Sequence, residues 1–123
     1  MNISTQIGAL TIKGSSEDGA YGLRLSGQAE MRDGAVLWAC LQQCHREAVT
    51  GKAKKVQIDV KEVEFMNSTA LGAFVSWVAE LQKLPVADRY TLEFLGSTAR
   101  RWQRASLHAL ASFAPETILI TFS

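Results

Sequence analysis

Apolar and polar residues alternate along Val56-Gln57-Ile58-Asp59-Val60, and three of the five are β-branched, so this run reads as a buried strand. After a short connector the period changes to that of a helix. On a wheel of roughly 100° per residue, the stretch from Ser68 to Lys83 divides into two halves. Ala70, Leu71, Phe74, Val75, Trp77, Val78 and Leu81 form an apolar half, and Ser68, Thr69, Gly72, Ala73, Ser76, Ala79, Glu80 and Lys83 form the other. Asn67 is the expected N-cap, because its side-chain oxygen can accept from an amide that the first turn leaves unpaired. Ser68 then falls beside the free amides at the positive end of the helix dipole, where a phosphate would meet donors rather than repulsion.

The same patterning extends along the rest of the chain. Ile7 to Lys13 alternates and predicts a first strand, the Gly14–Gly19 cluster a turn, and Tyr21 to Ser26 a second strand, together an antiparallel hairpin. Gln28 to Gly34 is a polar lead-in, with Asp33 the candidate cap of a helix that runs to about Thr50. Leu37, Cys40, Leu41, Cys44 and Ala48 make its core stripe, with Trp38 partly buried at the edge. Gly51 ends that helix, and Leu84-Pro85 ends the next. Tyr90 to Leu95 is a further strand, and Gly96-Ser97-Thr98 a turn and cap. Ala99 to Phe113 is a third helix with Trp102, Ser106, Ala109 and Phe113 at helical spacing, and Thr117 to Phe122 a last strand. The order is β-β-α-β-α-β-α-β. It predicts one α/β domain over residues 1–123, a mixed and mostly parallel sheet covered by helices, with Ile58, Leu71, Phe74, Val78, Leu92 and Leu119 in the core.

Composition narrows the function. A chain of 123 residues, 47 % hydrophobic and 20 % charged, supports one real core. The net charge of +1 points to no nucleic acid and no acidic membrane surface, and no apolar run reaches the length of a span, so no membrane insertion is expected. Arg100, Arg101 and Arg104 surround Trp102 and read as a solvated face. The N-terminus lacks the basic start and long apolar stretch of a signal peptide, so a reducing cytoplasm is the expected setting.

Candidate chemistry is sparse. Cys40 and Cys44 share a helix face, but His45 is turned about 100° from Cys44. Two thiols without further ligands make a poor zinc site, so no metal is expected, and helical geometry disfavours a disulfide between them. His45 and His108 have no carboxylate at a supporting offset, no phosphate-binding loop or nucleophile elbow occurs, and Ser68 has no visible base. No catalytic residue and no cofactor are therefore expected. Asp59 is left open between a fold and a site role. The small side chains beside Ser68 are unusual for a helix face turned to water, which ordinarily carries Glu, Lys and Gln. They would let a partner come close. The alternatives are a solvated face or one covered by the same domain.

These residues also carry a resemblance. A strand ending in an acidic residue, followed by Phe65-Met66-Asn67-Ser68-Thr69-Ala70-Leu71-Gly72, resembles the signature of STAS domains, and most closely the single-domain anti-sigma factor antagonists of bacteria. The resemblance is strong from Val56 to Leu81. It implies a non-enzymatic partner-switching regulator of signal transduction with Ser68 as phosphoacceptor and Thr69 as its competitor. It also implies an anti-sigma-type serine kinase and a PP2C-like phosphatase acting on it, and a regulated protein partner. With the wheel, it points to a partner surface of Asn67, Ser68, Thr69, Gly72, Ala73, Ser76 and Ala79. The chain departs from the pattern at Asn67, where antagonists usually have Asp, at Ala70, where they have glycine, and at Gly27-Gln28-Ala29-Glu30, where Gly-Glu-x-Asp is common. Members of this class also often finish with another helix, which is not seen after the last strand here. Some STAS proteins are instead accessory subunits of ABC transport complexes, and docking of the same face on a transport ATPase without phosphorylation is the second reading.

Overall fold

The computed structural model describes all residues from 1 to 123. Six strands form one sheet in sequence order: β1 (Asn2–Ile7), β2 (Leu10–Glu17), β3 (Ala20–Ala29), β4 (Lys55–Met66), β5 (Thr91–Gly96) and β6 (Ile118–Phe122). β1, β2 and β3 are joined as antiparallel hairpins, and β3 through β6 run parallel. The parallel strands are linked by α1 (Gly34–Thr50), α2 (Ser68–Gln82) and α3 (Arg101–Ala111). Each crossover moves one strand further in the same direction. Right-handed connections therefore stack all three helices on one face. Burial agrees: Val56, Ile58 and Val60 of β4 are buried, while Lys55 and Gln57, which alternate with them, are exposed.

The expected α/β architecture holds, with corrections at the ends of elements. The predicted strand from Ile7 to Lys13 is broken at Gly8-Ala9, so it supplies the end of β1 and the start of β2. Gly8 has φ +56°, which closes that turn with little strain. The predicted turn from Gly14 to Gly19 narrows to Asp18-Gly19, both with positive φ, and β2 runs through the glycine and serines before it. Asp33 does not cap α1 with its side chain. It ends a one-turn 3-10 helix (Met31–Asp33), is fully buried, and accepts from the Glu30 N–H through Oδ2 at 2.8 Å.

The core stripe of α1 is as expected: Leu37, Cys40, Leu41, Cys44 and Ala48 are all buried, and Trp38 packs half-buried at its edge. Both cysteines are free, and burial pushes the Cys44 thiol up to about 12. The stripe of α3 is rotated by one residue. Gln103, Leu107 and Leu110 are buried, followed by Ala114, whereas Ala109 and Phe113 are exposed. Reading the helix from Ala99 set the wrong phase; it begins two residues later, with Arg100 as N-cap. Leu119 is on the outer face of β6 and 53 % exposed, while Ile118 beside it fills the core. A period of two settles which residues share a face, and only the packed helix decides which face is inside.

One largely buried polar chain ties α1 and α2 to Tyr90, the residue before β5. The Trp77 indole N–H donates to Tyr90 Oη at 2.6 Å, and Tyr90 Oη lies 2.7 Å from His45 Nδ1. Indole is only a donor, so the hydroxyl proton is free to go to Nδ1, which must then be the acceptor of a neutral imidazole. Burial lowers the His45 pKa; the nearby Arg46 charge lowers it further and Glu80 opposes both. Because the folded pKa lies below the unfolded one, the unfolded chain takes up this proton first on acidification. The contribution is fully present above the unfolded value of about 6.5 and is lost as pH falls from there through the folded pKa. The thermal midpoint is therefore expected to drop between pH 7.5 and 5.5, and His45→Gln should flatten the slope in that window. An unchanged slope in the variant would assign the dependence to other groups.

Candidate functional site

The site is built at the end where the parallel strands run out and the helices begin. β4 is longer than its alternation predicts, because two register shifts against β3 interrupt it. Val60, Val63 and Met66 are buried three residues apart, so the segment from Lys61 to Glu64, expected as a connector, is bulged strand. Asp59 serves this bulge: its Oδ1 accepts from the Lys61 N–H at 3.0 Å and its Oδ2 lies 3.7 Å from Lys61 Nζ. That favours the fold role over the site role.

Pairing of β4 with β5 stops at Asp59 and Leu95. Beyond it, side chains at the start of α3 take over the β4 carbonyls. Gln103, fully buried, donates through Nε2 to Val60 O at 2.6 Å and Val63 O at 3.2 Å, and accepts from the Ser97 N–H through Oε1 at 2.8 Å. The Trp102 indole donates to Val63 O at 3.1 Å. On the other side the Asn67 N–H donates to Ala29 O at 2.8 Å. The strand is thereby held on both edges as it delivers Asn67 to the start of α2.

Asn67 caps that helix. Its backbone is extended, and Oδ1 accepts from the Thr69 N–H at 2.8 Å. Ser68 and Thr69 follow in the first turn, both exposed. No acidic residue occupies this turn, so the turn itself carries no charge that would repel a negative group added there.

The exposed row continues along α2 through half-exposed Gly72 to exposed Ser76 and Ala79. Nothing lies within 4 Å of the position a Gly72 Cβ would take. Ala73, expected on this surface, is not part of it: it is buried at 6 % exposure. The buried arc is Ala70, Ala73, Phe74, Trp77, Val78 and Leu81, turned by about 50° from the one expected. α1 packs alongside α2, and its first residue, Gly34, lies against Thr69, one turn before Ala73 on the same flank. The same rotation leaves Leu71 and Val75, expected inside, only half-buried at the other margin of the row.

Two exposed apolar residues frame the Ser68 end and were not foreseen. Phe65, two residues before Asn67, is 46 % exposed, and Met31, on the one-turn helix that packs against α2, is 65 % exposed. The sequence held a signal for Phe65 only in hindsight, since the bulges that turn it outward cannot be read from period alone. The surface is thus a capped, unencumbered serine, a row of small side chains, and apolar residues at its margins. Such a surface suits contact with another protein, in which small residues admit close approach and apolar residues supply burial.

No protein-family model matches the sequence, and no curated protein matches it. Solved structures do match. A crystal structure of an anti-sigma factor antagonist from Mycobacterium paratuberculosis superposes with a TM-score of 0.63 at 18 % identity, covering 89 % of this chain and 85 % of that one. The solution structure of the protein TM1081 gives a TM-score of 0.56 at 11 % identity, covering 89 % of this chain and 79 % of that one. With its six-stranded mixed sheet and three helices, the chain therefore has the fold of an anti-sigma factor antagonist, the STAS fold that its Phe65–Gly72 signature implied.

Proposed function

We propose that this protein is a non-enzymatic partner-switching regulator that binds a protein partner through the Ser68 end of α2 and is released by phosphorylation of Ser68. The observation that carries the reading is the exposed Ser68 on a helix start capped by Asn67, continued by the small row of Gly72, Ser76 and Ala79. Unmodified, the surface is uncharged from Asn67 to Ala79 and costs little to desolvate. A serine kinase of the anti-sigma type would transfer a phosphoryl group from ATP to Ser68 Oγ, and a PP2C-like phosphatase would hydrolyse it. The phosphate adds about −1.5 to −2 charges at pH 7. Within the free protein that charge is favourable, because it sits at the positive end of α2. Within the complex it must be stripped of water against small and apolar side chains, so binding weakens while the fold persists.

The experiment is tandem mass spectrometry of the protein purified from its host, for wild type and Ser68→Ala. A single phosphate on Ser68 is expected, absent in the variant. The variant should keep its thermal midpoint to within about 0.5 kcal/mol of stability, since Ser68 makes no side-chain hydrogen bond that alanine would remove. Phosphate on Thr69 would move the switch by one residue. An unmodified protein that still captures a partner would favour constitutive docking over switching.

A further inference from the structure

We infer a second site, independent of Ser68, at the start of α3: a phosphate-binding cavity formed by Arg100, Arg101 and Arg104. Arginines at 100, 101 and 104 read as a solvated face in the sequence, but in the fold they converge. Together with Ser97, Thr98 and Phe122 they line a cavity of about 220 Å³. No acidic residue occurs between Glu93 and Glu116, so the charge is not balanced along the chain. Across the fold one acidic side chain comes within ion-pair distance. Arg100 lies 3.8 Å from Glu62, which is itself 59 % exposed, and Arg101 and Arg104 make no ion pair.

The cavity is also held in shape. Buried Gln103 fixes the Ser97 amide, and the Thr98 N–H and hydroxyl both donate to Ser123 O, at 3.0 and 3.3 Å. Arg100 Nε is turned to Lys61 O at 3.4 Å, and the Arg104 guanidinium rests 5.6 Å over the Phe122 ring. Ser97 Oγ accepts from the Ala99 N–H and keeps its own proton to donate. Guanidinium forks on a frame of this kind match the oxygens of a phosphate, which they bind in pairs. The space admits a free phosphate or a phosphomonoester, and its polar lining favours neither an apolar ligand nor a metal ion. The net charge of the whole protein is only +1, so a phosphate ligand is drawn by this local cluster and not by the bulk field.

The test is a nitrogen-15 NMR titration with inorganic phosphate at constant ionic strength, repeated with adenosine monophosphate and with adenosine. Saturable shifts confined to Ser97–Arg104 and Phe122 are expected. Arg101→Ala/Arg104→Ala together should weaken binding by about tenfold or more, and Arg46→Ala, exposed on α1, should leave it unchanged. Tighter binding of the nucleotide than of phosphate, with none of adenosine, would identify a phosphomonoester as the ligand; equal binding would identify free phosphate. No saturable shift up to roughly 20 mM phosphate, a range that covers millimolar affinity, or an unchanged response in the double variant, would overturn the site.

Discussion

Gly72→Trp is expected to abolish capture of the partner while leaving the protein folded. Gly72 lies one turn beyond Ser68 and about 40° around the helix, with open space where its Cβ would be. A Cβ there meets nothing in its own domain, and replacing the glycine relieves the helix of a residue worth about 1 kcal/mol in propensity relative to alanine. From this open position the indole projects from the exposed row, into the volume a partner would occupy. A well-packed contact cannot absorb so large a ring without opening, and a loss of about 100-fold or more in affinity is expected, equivalent to roughly 2.7 kcal/mol. Ala79→Phe, exposed further along the same row, should act alike, and Ser68→Asp should give a similar loss by charge. Pull-down from the host with each variant, followed by a direct affinity measurement on the captured protein and circular dichroism, checks this. Should folded Gly72→Trp and Ala79→Phe capture everything that wild type captures, the row is idle surface and partner switching through α2 loses its basis.

The largest loss of stability is expected from Gly27→Ala in β3. Gly27 has φ +97°, in the left-handed region, and a Cβ there would fall on the backbone carbonyl of Ala9. That carbonyl accepts the Gln28 N–H at 3.0 Å, so relieving the clash breaks the close of the β1–β2 turn against β3. Neither atom belongs to a flexible side chain that could move aside. The strained backbone and the clash together should cost about 3–5 kcal/mol, a large share of an ordinary domain's stability. The thermal midpoint should fall by at least about 10 °C. An unchanged midpoint would show that the turn relaxes at no cost. Because Gly27 is adjacent to the residues that pair with the end of β4, the variant should also loosen the delivery of Asn67, and binding should fall with stability.

Much of this protein was legible in the alternation and helical periods of its sequence. Val56 to Val60 could only be a strand with one face inside, and the stripe from Leu37 to Ala48 fixed α1 almost to its ends. Asn67 announced the start of α2, since few residues cap a helix so well. These features are local, and local chemistry determined them. The tertiary structure decided what depends on neighbours. β4 reaches Met66 because β3, Asp59 and the side chains of α3 supply partners that carry it through two bulges, and no periodicity survives a bulge. Ala73 is buried on the flank of α2 where α1 packs, and Leu71 and Val75, on the other margin, are left half-exposed. Arg100, Arg101 and Arg104 look like an ordinary solvated run until the fold closes Ser97, Thr98 and Phe122 around them. A side chain's period says which residues share a face; what that face meets is set by elements distant in the chain, brought there by burial of the common core.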